Sequence, residues 1–62
     1  MGRTRIKRII RTERKPKYVI TYVELEHGGE ASGFGEDWRV GEEVIEVWHE
    51  RYNKVKILKD TH

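Results

Sequence analysis

Short strand-like segments separated by turn signals run through the whole chain, and this pattern constrains the fold more than any other feature. In residues 18–27 (YVITYVELEH), apolar side chains recur at the period of two that a half-buried strand requires. Gly28 and Gly29 follow at once, and a glycine pair at this position is typical of a tight hairpin turn, because glycine accepts a positive φ. The pattern therefore predicts strands rather than helices.

The same reasoning predicts five strands in total. They cover residues 5–12, residues 18–27, Glu30–Phe34, Glu43–His49 and Lys54–Lys59. The first segment also has an isoleucine stripe at helical spacing, but Glu13 interrupts that stripe and no N-cap pattern precedes it. Pro16 and Gly41 mark turns, and residues 49–54 form a hairpin loop in which Asn53 can adopt a positive φ.

The length of 62 residues allows one small domain. Closing five short strands into a barrel removes the exposed edges of the sheet, so we expect an all-β, five-stranded SH3-like barrel, with a minimal OB-like barrel as the alternative. Residues 1–62 would form this single barrel domain, with residues 1–5 as a basic N-terminal arm and residues 60–62 as a frayed tail.

Cysteine is absent and the three histidines have no cysteine partners, so disulfides are excluded and we expect no metal and no cofactor. No apolar stretch approaches the roughly 20 residues that span a bilayer, so no membrane partner and a cytoplasmic location are expected. Glu42, Glu43, Glu46 and Glu50 are expected to pair with Lys54 and Lys56 across the last hairpin rather than to act as acids or bases. The chain has one serine, and we expect no enzyme and no catalytic residue.

Alternation assigns the side chains to two faces of the sheet. The predicted core consists of Ile6, Ile10, Val19, Val23, Leu25, Ile45, Val47, Val55 and Ile57. The predicted outer face carries Tyr18, Ile20, Tyr22, Val44, Trp48, Lys54, Lys56 and Leu58, with Tyr52 in the loop beside them. Trp38 is expected to pack from a loop over the mouth of the barrel.

Charge is distributed unevenly. Residues 1–17 carry eight Lys or Arg against Glu13 alone, a net +7, whereas the remaining 45 residues carry five basic and ten acidic groups, a net −5. Such asymmetry indicates contact with nucleic acid or another acidic surface. Aromatic rings that accompany cations on an open sheet face can stack on bases while the cations neutralise phosphates.

These features predict a protein that binds nucleic acid, DNA or RNA, with little sequence specificity. The predicted contact residues are Arg3, Arg5, Lys7, Arg8, Arg11, Arg14, Lys15, Lys17, Tyr18, Tyr22, Trp48, Tyr52, Lys54 and Lys56. Glu46 and Glu50 share the Trp48 face by alternation, which disfavours a polyanion there. The alternative is a protein-interaction module, an SH3-like adaptor or inhibitor, in which the acidic body meets a basic peptide or forms a homodimer through the basic arm of a second copy.

The tetrapeptide WRVG at residues 38–41, followed by a strand, resembles a stretch of the seven-kilodalton archaeal DNA-binding proteins, which are small SH3-like barrels. The resemblance covers four residues, so it transfers no binding residues and assigns no family.

Overall fold

The computed structural model describes residues 2–60, which form five strands and one short 3₁₀-helix. The elements are β1 (Gly2–Arg14), β2 (Val19–Leu25), β3 (Glu30–Phe34), β4 (Glu43–His49), the 3₁₀-helix (Glu50–Tyr52) and β5 (Lys54–Lys59). The strands close into a barrel in the order β1-β2-β3-β5-β4, with β4 paired to β1. The predicted small, five-stranded, all-β barrel is confirmed.

The strand order shows how the barrel closes. Strand β4 returns to lie beside β1, so β4, β1, β2 and β3 form a Greek key. Strand β5 pairs antiparallel with β4 and parallel with β3, and it completes the barrel. A five-stranded Greek-key barrel is the arrangement of the OB-like alternative, and it has the strand number expected from the sequence. Residues 2–60 contain no helix long and apolar enough to cross a membrane.

Three strands have the bounds that the sequence predicts, because turns delimit them. Gly28 adopts a φ of 98° in the β2–β3 turn, and Gly41 adopts a φ of 86° just before β4. Asn53 has the predicted positive φ, 54°, and it ends the 3₁₀-helix before β5 begins. Left-handed backbone at these residues therefore separates one strand from the next.

The N-terminal strand is longer than predicted. Residues 2–5 pair with residues 43–46 of β4, so the described part of the expected arm is a strand of the barrel. At the other end, the Asp60 side chain is only 5% exposed and lies 3.5 Å from the Arg3 guanidinium, so Asp60 is not frayed. Met1 of the expected arm and residues 61–62 of the expected tail lie outside the described residues.

Strand β1 contains two irregularities that change which isoleucine faces the core. Its register with β2 shifts between Ile6 and Arg8, and again between Ile9 and Arg11. Each shift adds a residue to β1, and an added residue reverses the alternation beyond it. Ile6 is buried as predicted, but Ile9 packs against the core instead of Ile10. The prediction for Ile10 is therefore wrong.

Strand β4 has the opposite parity to the predicted one. Val44 is fully buried, whereas Ile45 lies opposite the exposed Leu58 and Val47 lies opposite Lys56. Residues directly opposite each other in an antiparallel pair share a face, so Ile45 and Val47 belong to the outer side. The predicted inward Ile45 and Val47 and outward Val44 are corrected. Trp48, predicted on the outer face, has the parity of Val44 and lies opposite Val55, which packs against the core, although the indole itself is 55% exposed.

The core is small and includes one loop residue. Its buried hydrophobic members are Ile6, Val23, Leu25, Ala31, Trp38, Val44 and Ile57, with Ile9 and Val55 packed against them. Trp38 lies between β3 and β4, is 8% exposed, and donates a 3.1 Å hydrogen bond from Nε1 to the carbonyl of Phe34. The loop indole predicted to pack over the mouth of the barrel is thus a member of the buried core.

Candidate functional site

Most of the N-terminal cations are engaged by carboxylates of the same chain. The pairs are Arg3–Asp60 (3.5 Å), Arg5–Glu43 (4.0 Å), Arg8–Glu24 (3.0 Å), Arg11–Glu13 (2.9 Å), Lys15–Glu13 (3.4 Å) and Arg14–Glu36. Four of these pairs join β1 to residues distant in sequence. The net charge of +7 on residues 1–17 and the net charge of −5 on the remaining residues therefore compensate each other within one molecule.

In two of these surface pairs, hydrogen bonding shifts the pKa of Arg11, Glu13 or Arg14. The hydrogen bond from Arg11 lowers the pKa of Glu13 below its usual value, and the same bond raises the pKa of Arg11. Hydrogen bonding to Glu36 likewise raises the pKa of Arg14. Such exposed pairs contribute little to stability, but they reduce the charge that is open to a ligand. The Arg11 guanidinium also lies 4.1 Å from the centre of the Tyr22 ring, so one face of that ring is covered.

The carboxylates of residues 42–46 do not pair as the sequence predicts. Glu42 lies 2.8 Å from Lys59, Glu43 contacts Arg5, and Glu46 lies 3.0 Å from a ring nitrogen of His27. Lys54 and Lys56 have no carboxylate partner within 4.0 Å among residues 2–60. These two ammonium groups are consequently available to a ligand.

A groove of about 560 Å³ lies over strands β2, β3 and β5, between the β1–β2 turn and the 3₁₀-helix. We call it the aromatic groove, and it is lined by Tyr18, Ile20, Ser32, Phe34, Tyr52, Lys54 and Lys56. Within residues 2–60, no carboxylate lines this groove. Lys54 and Lys56, both without a carboxylate partner, thus lie in the same groove as three aromatic rings.

The three rings are arranged as an open surface. Tyr18, Phe34 and Tyr52 are 49%, 58% and 56% exposed. Tyr18 contacts Phe34 edge to face, with 5.8 Å between ring centres, and Lys56 Nζ lies 4.4 Å from the centre of the Phe34 ring. Tyr52 stacks on His49 at 4.8 Å, so the imidazole supports one face of the phenol ring. Rings held by such contacts lose little freedom when a planar ligand stacks on them.

Trp48 lies beside the aromatic groove, in a second groove. This second groove, of about 370 Å³, is lined by Tyr22, Glu30, Ala31, Ser32, Trp48, Asn53, Lys54 and Val55. Trp48 is opposite Val55 in the β4–β5 ladder and is 55% exposed. Glu46 lines a third depression together with Trp48, as the alternation predicts, so a carboxylate does lie near this indole.

The predicted contact residues divide into three groups. Four of them line the aromatic groove: Tyr18, Tyr52, Lys54 and Lys56. Tyr22 and Trp48 line the second groove. The remaining cations lie on β1 or in the turn after it and line neither groove: Arg3, Arg5, Lys7, Arg8, Arg11, Arg14, Lys15 and Lys17.

Three lining residues of the aromatic groove are not among the predicted contacts, namely Ile20, Ser32 and Phe34, and Phe34 is the aromatic one. It lies at the end of a five-residue strand next to two glycines, so nothing local distinguishes it from a residue of a weak strand. Alternation from Ser32 does place Phe34 on the outer side of β3, and this signal could have identified it.

No group of three or more His, Asp or Glu side chains within residues 2–60 is placed to hold a metal ion. Comparison of the chain with models of protein families, with curated proteins and with solved structures finds no match. The candidate site therefore rests on the geometry of the aromatic groove.

Proposed function

We propose that this protein binds nucleic acid, DNA or RNA, with little sequence specificity, and that the aromatic groove is its principal contact surface. The observation that carries the proposal is the coincidence of exposed rings and unpaired cations in one groove whose described lining residues include no carboxylate. Lys54 and Lys56 would neutralise backbone phosphates. Tyr18, Phe34 and Tyr52 would stack on bases, and each stacked base contributes about 1–3 kcal/mol.

The proposed lack of sequence specificity follows from the same side chains. Every base has a π-face, and an ammonium group attracts a phosphate regardless of the neighbouring base. The described residues offer no α-helix to enter a major groove, which is the usual route to reading base edges. In five-stranded Greek-key barrels, the β2–β3 face and the β1–β2 and β4–β5 loops form a surface suited to oligonucleotides, and the aromatic groove occupies that region.

The proposed site is the aromatic groove, whereas the charge pattern of the sequence indicates residues 1–17. The cations of β1 can still attract a polyanion at long range, but each paired cation must first lose its carboxylate. We therefore place the principal phosphate contacts at Lys54 and Lys56. A cysteine-free chain suits a reducing compartment, and we place this binding in the cytoplasm.

The test compares two lysines that differ only in position. Lys54 lines the groove and Lys7 lies on β1, and neither has a carboxylate partner within 4.0 Å among residues 2–60. Binding of labelled oligonucleotides is measured by fluorescence anisotropy at salt concentrations from about 50 to about 200 mM. Lys54→Gln should weaken binding several-fold and reduce the slope of log K against log salt by about 1. Lys7→Gln should leave both close to the parent values.

Two results would contradict the proposal. If the parent protein binds no oligonucleotide at the lowest salt concentration, nucleic acid is not its ligand. If Lys7→Gln weakens binding as much as Lys54→Gln, the contact surface lies on β1 instead of in the groove.

A protein partner is the second candidate, and the groove favours one kind. Aromatic grooves accept extended proline-rich peptides, and the ammonium groups of Lys54 and Lys56 would select an acidic one. The basic peptide expected from the sequence has less support, because Glu36 and Glu42 pair with Arg14 and Lys59. The homodimer, in which the basic arm of one copy would contact the acidic body of the other, also has less support, because these charges are largely paired within one chain. If an acidic proline-rich peptide binds without displacing a bound oligonucleotide, the peptide and the oligonucleotide do not share the aromatic groove.

A further inference from the structure

The junction between β3 and β5 is the weakest hydrogen-bonded junction of the described barrel. A single parallel pair, Ser32 with Lys56, joins these strands, whereas β3 pairs with β2, and β5 with β4, over most of their lengths. Ser32 lies opposite Tyr22, hence on the outer side of β3, and it is 6% exposed. A small side chain therefore forms the floor of the surface where the two strands meet.

Three depressions share Ser32 as a lining residue: a slot, the aromatic groove and the second groove. They adjoin one another across this junction. The first is a slot of about 290 Å³ lined by Gly33, Trp38, Ile57, Leu58 and Lys59 as well as by residues of the aromatic groove. The aromatic groove shares Ile20, Phe34 and Lys56 with this slot, and it shares Lys54 with the second groove. We call the three together the seam trough.

We infer that the seam trough binds single-stranded nucleic acid and discriminates against duplex. The inference rests on the proposed function and specifies its ligand. Stacking on Tyr18, Phe34, Tyr52 or Trp48 requires a base whose face is free, and bases in a duplex present only their edges. A duplex backbone would also leave the apolar floor of the slot and of the aromatic groove unfilled.

The charges along the trough define where the backbone runs. Lys54 and Lys56 alternate along β5 on the outer side of the barrel, and both line the trough. Glu30 is the one carboxylate among the described residues that line it, and it belongs to the second groove. Like-charge repulsion from Glu30 directs phosphates towards the β5 side and leaves the rings of β2 and β3 to the bases.

The size of the barrel limits the length of strand that can bind. The described chain measures 30 × 26 × 24 Å, and the seam trough crosses one face of it. We expect a site of about 4 nucleotides, the low end of the range for one barrel of this kind.

A pair of substitutions at Ser32 tests the trough without removing a cation or a ring. Ser32→Leu places a branched side chain on the floor shared by all three depressions, whereas Ser32→Ala keeps that floor open. Both remove the same hydroxyl, so each is the control for the other. Far-UV circular dichroism and thermal melting establish that both variants are folded before binding is compared.

Anisotropy is measured with labelled oligothymidines of rising length, from about 2 to about 12 nucleotides, and with a hairpin duplex of matched length. We expect the affinity for single strands to rise steeply with length up to about 4 nucleotides and to rise little with each further nucleotide. The affinity for the duplex should be at least about tenfold weaker. Ser32→Leu should weaken single-strand binding at least about tenfold relative to Ser32→Ala, since it removes stacking room for more than one base. Quenching of tryptophan emission on binding should be largely lost in Trp48→Phe.

The outcomes separate the inference from the proposed function. Duplex that binds as tightly as single strand, or equal binding by folded Ser32→Leu and Ser32→Ala, overturns the inference and leaves nucleic-acid binding in place. Failure of every oligonucleotide to bind the parent protein overturns both. Steep length dependence with selective loss in Ser32→Leu supports the inference.

Discussion

Gly33 is the residue at which the smallest change should cause the largest loss of stability. It lies on β3 opposite Thr21, and the Trp38 indole packs directly over it. A Cβ added at Gly33 would lie 2.8 Å from Trp38 Cε2 and 2.9 Å from Ile57 Cγ1, closer than carbon atoms pack. Both neighbours are buried in the core, so neither can move aside without disturbing other contacts.

The expected size of the effect is the balance of three contributions. Overpacking a core by one methyl group costs about 1–3 kcal/mol. Displacing the indole would also weaken its hydrogen bond to the Phe34 carbonyl, at a cost of about 0.5–1.5 kcal/mol. Replacing glycine by alanine restricts the unfolded chain, which returns about 0.4–1 kcal/mol. The free energy of unfolding of Gly33→Ala should therefore fall by about 2 kcal/mol, and Tm by roughly 8–16 °C for a domain of this size.

Urea denaturation followed by tryptophan fluorescence and by circular dichroism measures this loss. Gly2→Ala is the matched control, because the nearest atom to its added Cβ would be Glu46 Oε1 at 3.9 Å. That control should change the free energy of unfolding by less than about 0.5 kcal/mol. If Gly33→Ala proves as stable as Gly2→Ala, the close packing of Trp38 on Gly33 is not a determinant of stability and the reasoning fails.

Two further predictions concern the β4–β5 loop and the acid stability of the chain. Asn53 has a φ of 54°, so Asn53→Ala should lower the free energy of unfolding by about 1 kcal/mol in urea denaturation, whereas Asn53→Gly should leave it nearly unchanged. Equal effects of the two substitutions would show that the left-handed backbone at residue 53 does not determine stability. The pKa of Glu13 is lowered in the fold, so ionised Glu13 favours the folded state above its unfolded pKa, and this contribution is lost as pH falls through the folded pKa. Arg11→Gln should raise the pKa of Glu13 towards its usual value in an NMR titration of the carboxyl carbon, and an unchanged midpoint would exclude Arg11 as the cause.

Local patterns predict the strands of this barrel well where turns delimit them. Glu30–Phe34, Glu43–His49 and Lys54–Lys59 are bounded by glycines or by the Asn53 loop, and their bounds agree with the prediction. The inward and outward faces of β1 and β4 are harder to predict, whereas those of β2 and β5 agree with the prediction. In β4, Val44, Ile45 and Val47 offer apolar side chains to both sides, so alternation alone allows two solutions.

The candidate site required information that local patterns do not carry. The two register shifts of β1 occur at residues 6–8 and 9–11, where the sequence contains neither glycine nor proline. Nothing in the alternation through Ile9 and Ile10 therefore predicts them. The groove itself combines side chains from β2, β3, β5 and two loops, and Phe34 becomes a site residue only because Lys56 and Tyr18 meet it there.

The charge pattern shows why a count of charges by segment does not locate the unpaired cations. A ligand responds to the charge that remains after the chain has paired its own groups, and pairing between β1 and carboxylates such as Glu24, Glu36 and Glu43 is long-range. Six cations have no carboxylate within 4.0 Å among residues 2–60, namely Lys7, Lys17, Arg39, Arg51, Lys54 and Lys56, and four of these six lie in the part of the chain whose count is −5. The segment that looks acidic in sequence therefore provides the basic side of the groove, and the segment that looks basic is mostly compensated.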